Sequence, residues 1–351
     1  MNKLRYPDKK YLLDYDLSSE FFNKLGINVL DITPLRKVFI LQTDEGKMIL
    51  KRVEYSEDRL RFINSCVENI YDKFSNIISF RKFDSGKCYI DWKGNNYIVM
   101  DLIPGREVTF TNPLEFQMSG ELLARMHLAS KNGFKEILKE IGKAEGEVIE
   151  ESMVIKLDNS LEDIKKIRSW VEKYRYKNEF DELFLEVIDK YVEEIDKSKE
   201  LLSFSGYSSY REEMKNIVVC HNDLAEHNFL ISEDEMYLID FDYCSIDLRI
   251  MDLADLVLKG IKNAAFDIDK ALDVINAYDK VYPLDREEYK FLYILLLYPR
   301  DFYSIVRSYY HREKDWEEEV FLNRIKNKLS NEVFRRDFLE AYKRKYKEMF
   351  C

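Results

Sequence analysis

The stretch that decides the reading is Val218-Val219-Cys220-His221-Asn222-Asp223-Leu224-Ala225-Glu226-His227-Asn228-Phe229-Leu230-Ile231, followed after a turn at 232–235 by Tyr237-Leu238-Ile239-Asp240-Phe241-Asp242. Three short apolar runs, at 216–220, 229–231 and 236–239, have the composition of strands and are separated by polar loops. The first run delivers Asp223 into a loop that ends at Asn228. A tight hairpin then sends the chain back, and the third run ends at Asp240. Taken as neighbours in one small sheet, these strands bring Asp223, Asn228 and Asp240 to one edge. Ordinary turn chemistry also places Asp and Asn in loops, so the set gains meaning from what lies upstream.

Phosphoryl transfer needs such a set. Magnesium takes hard oxygen ligands and keeps some water, so a carboxylate, an amide oxygen and substrate phosphates suffice. A separate carboxylate must face the acceptor hydroxyl. Protein kinases order these groups as a catalytic-loop Asp, an Asn and the Asp of D-F-G, with a strand lysine on the nucleotide phosphates. The order here is Asp223, Asn228, Asp240, and Met48-Ile49-Leu50-Lys51 supplies the strand lysine. The helix that follows should hold Lys51 with an acid, either Glu68 or Glu57.

Working outward, 17–25 reads as a short helix with Ser18 as its cap, and 37–43 and 47–53 as strands joined by Asp44-Glu45-Gly46. Ser56 opens a helix to about residue 74, and two more strands follow at 87–92 and 96–102. Pro104-Gly105 ends the last of these. Beyond Gly105 the pattern is mostly helical: 113–130, a looser charged stretch at 131–159, a strongly amphipathic helix at 179–202, and helices from 253 onward. The 179–202 periodicity fits one packed helix better than a coiled coil.

Composition bounds the rest. The chain has 351 residues, 46% hydrophobic and 34% charged, so it can bury a sizeable core. Its longest strongly apolar run, 291–298, falls short of the roughly 20 residues of a membrane span, and residues 1–10 lack the pattern of a secretory signal. A net charge of −11 argues against nucleic-acid binding. Cys66, Cys88, Cys220, Cys244 and Cys351 are widely spaced, which favours neither a disulfide framework nor zinc. Aromatic residues reach 14%, with a cluster at 298–310 that reads as helix packing. His127 reads as a hydrogen-bonded core histidine, His221 as a brace for the catalytic loop and His227 as a residue of the active-site cleft.

His221-Asn222-Asp223 with Asn228, and Ile239-Asp240-Phe241-Asp242, resemble the aminoglycoside, choline and homoserine phosphotransferase branch of the protein kinase-like superfamily. Val99-Met100-Asp101-Leu102-Ile103-Pro104-Gly105 is similar to the hinge of that branch, and 122–127 to its next helix. More narrowly, Asp240-Phe241-Asp242-Tyr243-Cys244 with Asp247-Leu248 and Asp252-Leu253-Ala254 resembles the spore coat CotS family, and the match runs over about 37–310.

That resemblance implies an α+β fold of two lobes. Residues 1–103 would form a small antiparallel-sheet nucleotide lobe ending in the hinge. Residues 104–351 would form a helical lobe with catalytic loop 221–228 and metal segment 239–242. It implies an ATP- and Mg2+-dependent phosphotransferase acting on a hydroxyl of a small molecule or sugar. Asp223 would be the catalytic base, and Asn228 and Asp240 the metal ligands. Lys51 would contact the phosphates, the backbones of Asp101 and Ile103 would bind adenine, and Met100 would line its pocket. Asp252 would tie the catalytic loop to a helix, and Asp242 would add charge to the metal site. The expected setting is the mother-cell cytoplasm or the spore coat, with other coat proteins as partners, and neither nucleic acid nor membrane. The alternative is a kinase-like structural protein of the coat.

Two positions depart from the pattern. Asn222 replaces a glycine, but asparagine tolerates positive φ well. Thr33-Pro34-Leu35-Arg36-Lys37 stands where a protein kinase has its glycine-rich loop, and Arg36 and Lys37 read either as substitute phosphate contacts or as solvated side chains.

Overall fold

In the computed structural model, residues 17–35, 38–143 and 149–350 are described. They divide into two compact units, the first from the described residues within 1–108, 133–145 and 226–244, the second from those within 109–132, 146–225 and 245–351. Arg36, Lys37 and Cys351, named above, lie outside the described residues.

The first unit opens with helix α1 (Ser19–Lys24), started by Ser18, whose hydroxyl accepts the Phe21 amide. Strands β1 (Val29–Leu35), β2 (Val38–Thr43), β3 (Gly46–Val53), β4 (Ile90–Trp92) and β5 (Asn95–Asp101) form one antiparallel sheet in the order β1-β2-β3-β5-β4. Strand β1 was not expected, because Pro34 weakens the strand pattern. It lies at the sheet edge, where a missing N–H is tolerated. The β2–β3 turn is Asp44-Glu45, and Gly46 carries φ 120 beyond it, a conformation that favours glycine.

Alternation along β3 sends Met48 and Leu50 into a core with Phe21, Phe39, Leu41, Tyr97 and Val99. Ile49 and Val53 join a second cluster with Leu60, Ile98 and Met100. Lys51 shares the face of Ile49 and Val53, which is also the side of helix α2 (Glu57–Tyr71). Ser56 caps that helix by accepting the Arg59 amide.

Strand β6 (Arg106–Glu107) pairs with β8 (Phe229–Ser232), and β8 pairs with β9 (Glu235–Leu238). The β8–β9 loop is Glu233-Asp234, both with positive φ, as a type I′ turn requires. A side chain at Gly105 would place its Cβ 2.5 Å from the Ile231 carbonyl oxygen, so glycine permits the close approach at the start of β6. This pairing, with helix α4 (Phe134–Ile141) packed on α2, is why two later segments belong to the sheet unit.

The expected single sheet of 216–220, 229–231 and 236–239 is therefore corrected. Strand β7 (Ile217–Cys220) pairs instead with β10 (Ser245–Leu248), in the second unit. Every residue of both strands is buried. Ser245 and Asp247 hid β10 in the sequence, and Asp247 is buried because Arg211 Nε reaches its carboxylate at 3.0 Å. The described residues of the 131–159 stretch, expected to be looser, carry α4 and the start of helix α5 (Met153–Glu172).

The second unit is otherwise helical: α3 (Pro113–Ser130), α5, α6 (Glu179–Phe204), α7 (Tyr207–Glu212), α8 (Ile250–Ile261), α9 (Ile268–Val281), α10 (Arg286–Leu297), α11 (Arg300–Tyr310), α12 (Glu318–Ser330) and α13 (Glu332–Lys345). Helix α6 buries Phe180, Phe184, Ile188, Tyr191 and Ile195. The aromatic cluster packs on it. Phe302 stacks on Tyr191 at 3.6 Å between ring centres, Tyr309 stacks on Phe180 at 3.9 Å, and Tyr310 meets Phe184 at 5.3 Å. None of the described helices is long and apolar enough to cross a membrane.

Helices α3 and α9 cross at Gly120, where a Cβ would sit 2.7 Å from the Val274 carbonyl oxygen. Replacing a mid-helix glycine by alanine gains about 0.5–1 kcal/mol, but overpacking against backbone costs about 1–3 kcal/mol. Gly120→Ala is therefore expected to lower stability by about 1–2 kcal/mol in urea denaturation; an unchanged or higher midpoint would contradict this packing.

Candidate active site

Lys51 leaves β3 on the face opposite Leu50 and places its ammonium between two carboxylates. Nζ lies 2.8 Å from Asp240 Oδ1 and 2.7 Å from Asp242 Oδ2. Burial works against this ammonium, but Asp242 and Asp240 outweigh it and hold its pKa above that of an ordinary lysine. Burial pushes the Asp242 carboxyl up; Lys51 opposes the shift and the neighbouring Asp240 charge adds to it. The Tyr55 hydroxyl donates to Asp242 Oδ1 at 3.1 Å. Arg59, from α2, donates to the main-chain oxygens of Asp242 at 2.8 Å and Cys244 at 2.7 Å. Asp240 itself sits at φ 68, ψ 67, a left-handed conformation that aspartate tolerates better than most residues.

Asn228 is buried immediately before β8, and its main-chain oxygen accepts the Ile239 amide at 2.9 Å. Asn228 and the Ile239–Asp240 segment are thus neighbours across the end of the β8–β9 hairpin. Just past β5, the Leu102 amide donates to the Lys47 oxygen at 3.0 Å. Hydrogen-bonded and non-bonded pairs alternate along an antiparallel ladder. The Asp101 amide and carbonyl, opposite Met48, therefore point away from β3. Met100 is buried in the cluster against which Ile49, Phe80, Ile103 and Ile239 are partly buried.

Asp223 lies in the second unit, in a loop whose amides are held one after another. Asp252 accepts the amides of His221 at 2.6 Å and Asn222 at 2.8 Å, the His221 ring accepts that of Asp223 at 3.3 Å, and Asp255 accepts that of Leu224 at 3.2 Å. Asn222 has φ 63, and its amide donates to Ser245 Oγ at 2.7 Å. The loop therefore takes the positive φ expected of the missing glycine, with a side-chain anchor that glycine lacks. Lys259 Nζ lies 2.7 Å from Asp223 Oδ1.

The donor set in the first unit suits a hard divalent cation. The two carboxylates Asp240 and Asp242 already share one cation, the Lys51 ammonium, and the Asn228 side chain belongs to the same strand end. Among the described residues, one group of His, Cys and acid side chains clusters at metal-ligand spacing: His127, Cys220 and Asp252. Each of the three is instead engaged in hydrogen bonds of the core. His127 Nδ1 meets the Tyr278 hydroxyl at 2.7 Å, Nε2 meets Asp252 at 3.1 Å, and the Cys220 thiol donates to the Leu248 oxygen. His127 is thus a hydrogen-bonded core histidine, as its position on an apolar helix suggested, and His221 braces the loop. His227 is exposed.

Of the candidate residues, Lys51 and Asp240 are brought together. The acid expected from α2 is not found at Lys51. Glu68 pairs with Lys82 at 2.7 Å, and Glu57 with Arg61 at 3.8 Å and Lys87 at 4.0 Å. The chain brings its own second acid in Asp242, and α2 reaches the segment through Arg59. Sequence reasoning missed Tyr55, Arg59 and Lys259. Asp252, Asp255 and Lys259 could have been found by their spacing, because they fall on one face of a helix.

A family model described as choline/ethanolamine kinase matches residues 114–299, a little over half of the chain. The chain belongs to the choline/ethanolamine kinase family. It is accordingly a kinase-type enzyme, a small-molecule phosphotransferase by fold and family. The chain is also similar to spore coat protein S of Bacillus subtilis (strain 168), 23% identical over 333 residues, covering 90% of this chain and 89% of that protein. Among solved structures, an aminoglycoside phosphotransferase from Alicyclobacillus acidocaldarius aligns over 95% of this chain and 97% of its own at 18% identity, with a TM-score of 0.82. A spectinomycin phosphotransferase solved with ADP and spectinomycin aligns over 97% and 99% at 14% identity, with a TM-score of 0.63. The antiparallel sheet and helical remainder are thus those of the protein kinase-like phosphotransferases.

Burial holds the family chain's His127 below the ordinary histidine pKa, despite Asp252. The unfolded chain, with a histidine pKa near 6.5, then binds the proton first as pH falls. Stability is complete above that value and declines below it, by up to about 1.4 kcal/mol per pH unit. Denaturant melts between pH 7.5 and 5.5 should show this decline, and His127→Gln should flatten it; equal slopes would contradict a neutral His127.

Proposed function

We propose that this chain is an ATP- and Mg2+-dependent phosphotransferase that moves the γ-phosphoryl group of ATP to a hydroxyl of a small molecule, an amino alcohol or a sugar. The observation that carries this reading is the Lys51 ammonium held between Asp240 and Asp242. Lys51 is a phosphate-binding cation kept charged and aimed by the acids that would bind the metal. In use, Lys51 would exchange carboxylate for phosphate oxygen. Asp240 and Asn228 would hold magnesium, with Asp242 adding negative charge; magnesium supplies charge neutralisation on the phosphates. The outward-facing backbone of Asp101 and that of Ile103 would bind the adenine edge, between the apolar surfaces of Ile49, Met100 and Ile239.

Asp223 would accept the proton of the acceptor hydroxyl. A bond forms from that oxygen to γ-phosphorus, the bond from γ-phosphorus to the bridging oxygen breaks, and ADP leaves. Positioning and electrostatics would account for most of the rate. The working division follows the hinge: residues 1–103 as the nucleotide lobe, and 104–351 carrying catalytic loop 221–228 and metal segment 239–242. We place the protein in the mother-cell cytoplasm or on the spore coat, with coat proteins as partners.

Similarity to spore coat protein S favours a second reading, a kinase-like structural protein of the coat. Thermal melts with and without Mg2+ and ATP separate the two. Ligand at 100 times its Kd stabilises by about 2.7 kcal/mol, so the melting temperature should rise by several degrees. Lys51→Met and Asp240→Asn should abolish the rise. Asp223→Asn should keep it while losing turnover in a screen of amino alcohols and sugars. No rise in the wild type, or full turnover by Asp223→Asn, would overturn the enzyme reading.

Glu68→Gln offers a contrast. Because Glu68 pairs with Lys82 and not Lys51, nucleotide affinity should stay within about twofold, as expected for an exposed pair of little energetic weight. A tenfold loss would mean that Glu68 supports the nucleotide site after all.

A further inference from the structure

We propose that Lys259 is a positioning residue for Asp223, fixing the direction of its carboxylate from a template built on one face of α8. This rests on the phosphotransferase reading above. Lys259 Nζ lies 2.7 Å from Asp223 Oδ1 and 3.0 Å from Asp255 Oδ2. Asp255 is in turn held by Arg300 of α11, 2.6 Å from its Oδ1. The charges therefore alternate in sign along Asp223, Lys259, Asp255 and Arg300. Burial alone would push the Asp255 carboxyl up; Arg300 and Lys259 outweigh it and hold it below the usual aspartate range. Asp255 thus remains a fixed anion that keeps Lys259 in place.

The same helix face holds the loop backbone. Asp252 and Asp255 take the amides of His221, Asn222 and Leu224. One turn further along α8, Lys259 takes a side-chain oxygen. An ammonium has three donors, enough for both carboxylates at once. The Lys259–Asp223 pair is partly exposed, at 20% and 31% of the two side chains, and pairs of this kind add little stability. Its physical effect is direction: it aims a carboxylate whose backbone is already fixed. A proton acceptor must lie within hydrogen-bonding reach of the reacting hydroxyl, and a 1 Å misplacement can cost about 10²-fold in rate.

The test is steady-state consumption of ATP with Mg2+, using water as acceptor and then the pool of amino alcohols and sugars, for wild type, Lys259→Met, Lys259→Gln, Lys259→Arg, Asp223→Asn and the double variant Asp223→Asn/Lys259→Met. Both neutral variants should lose about 10²-fold in kcat, with KM for ATP within about twofold, because misplacement affects the chemical step and not nucleotide binding. Lys259→Arg should recover most of that loss, since it keeps the charge. On the Asp223→Asn background, Lys259→Met should cost nothing further, as expected for residues that act as one unit. If Lys259→Met fails to melt cooperatively, Lys259→Gln and Lys259→Arg carry the comparison. Wild-type kcat in a folded neutral variant, or a further loss on the Asp223→Asn background, would overturn the proposal while leaving the phosphotransferase reading intact. A wild type that consumes no ATP under either condition would overturn the reading and this inference with it.

Discussion

The arrangement in the first unit depends on one ammonium between two carboxylates. Lys51 is joined to Asp240 across 189 positions of sequence and to Asp242 across 191. The contact links the sheet to the segment that follows the β8–β9 hairpin. Buried ion pairs are poor sources of net stability, yet removing one partner leaves an uncompensated charge and is expensive. Without Lys51, Asp240 and Asp242 would face one another as like charges with partial burial. Tyr55 and Arg59 show how the surroundings adapt. The tyrosine hydroxyl satisfies a remaining carboxylate oxygen, and the guanidinium takes two main-chain oxygens. The cluster therefore adds little as a fold stabiliser, and in the proposed function it would serve as a preformed electrostatic template for phosphate and metal.

A second template lies in the other unit and is built by different means. There the organising element is the start of a helix. Asp252 and Asp255 are one turn apart on α8 and collect amides from consecutive positions of the loop that carries Asp223. His127, held by Tyr278 and Asp252, closes the back of that network. A loop with so many fixed amides can carry an asparagine at φ 63 where glycine would be the easier choice.

Much of this was legible in the sequence, for reasons that can be named. The order Asp223, Asn228, Asp240 and the strand lysine Lys51 are local patterns, and a turn or strand reveals them directly. The tie from Asp252 to the loop was implied by the family resemblance, and it is present in the amides of His221 and Asn222. What stayed hidden depends on long-range pairing. Strand β1 carries Pro34 and is supported by its neighbour, not its own composition. Strand β10 contains Asp247, whose burial makes sense only once Arg211 is seen beside it. The partner of Lys51 was sought on α2 by analogy with protein kinases. Glu68 and Glu57 satisfy that analogy in sequence but find other lysines and arginines in space. Part of the aromatic excess, unexplained by composition, is packing of α11 against α6.

The most direct measurement is a crystal structure with Mg2+ and a non-hydrolysable ATP analogue. The account predicts metal bound by the Asp240 carboxylate and the Asn228 amide oxygen, with Lys51 Nζ moved from Asp240 to a phosphate oxygen. A nucleotide bound elsewhere, with Lys51 still clamped between Asp240 and Asp242, would contradict it.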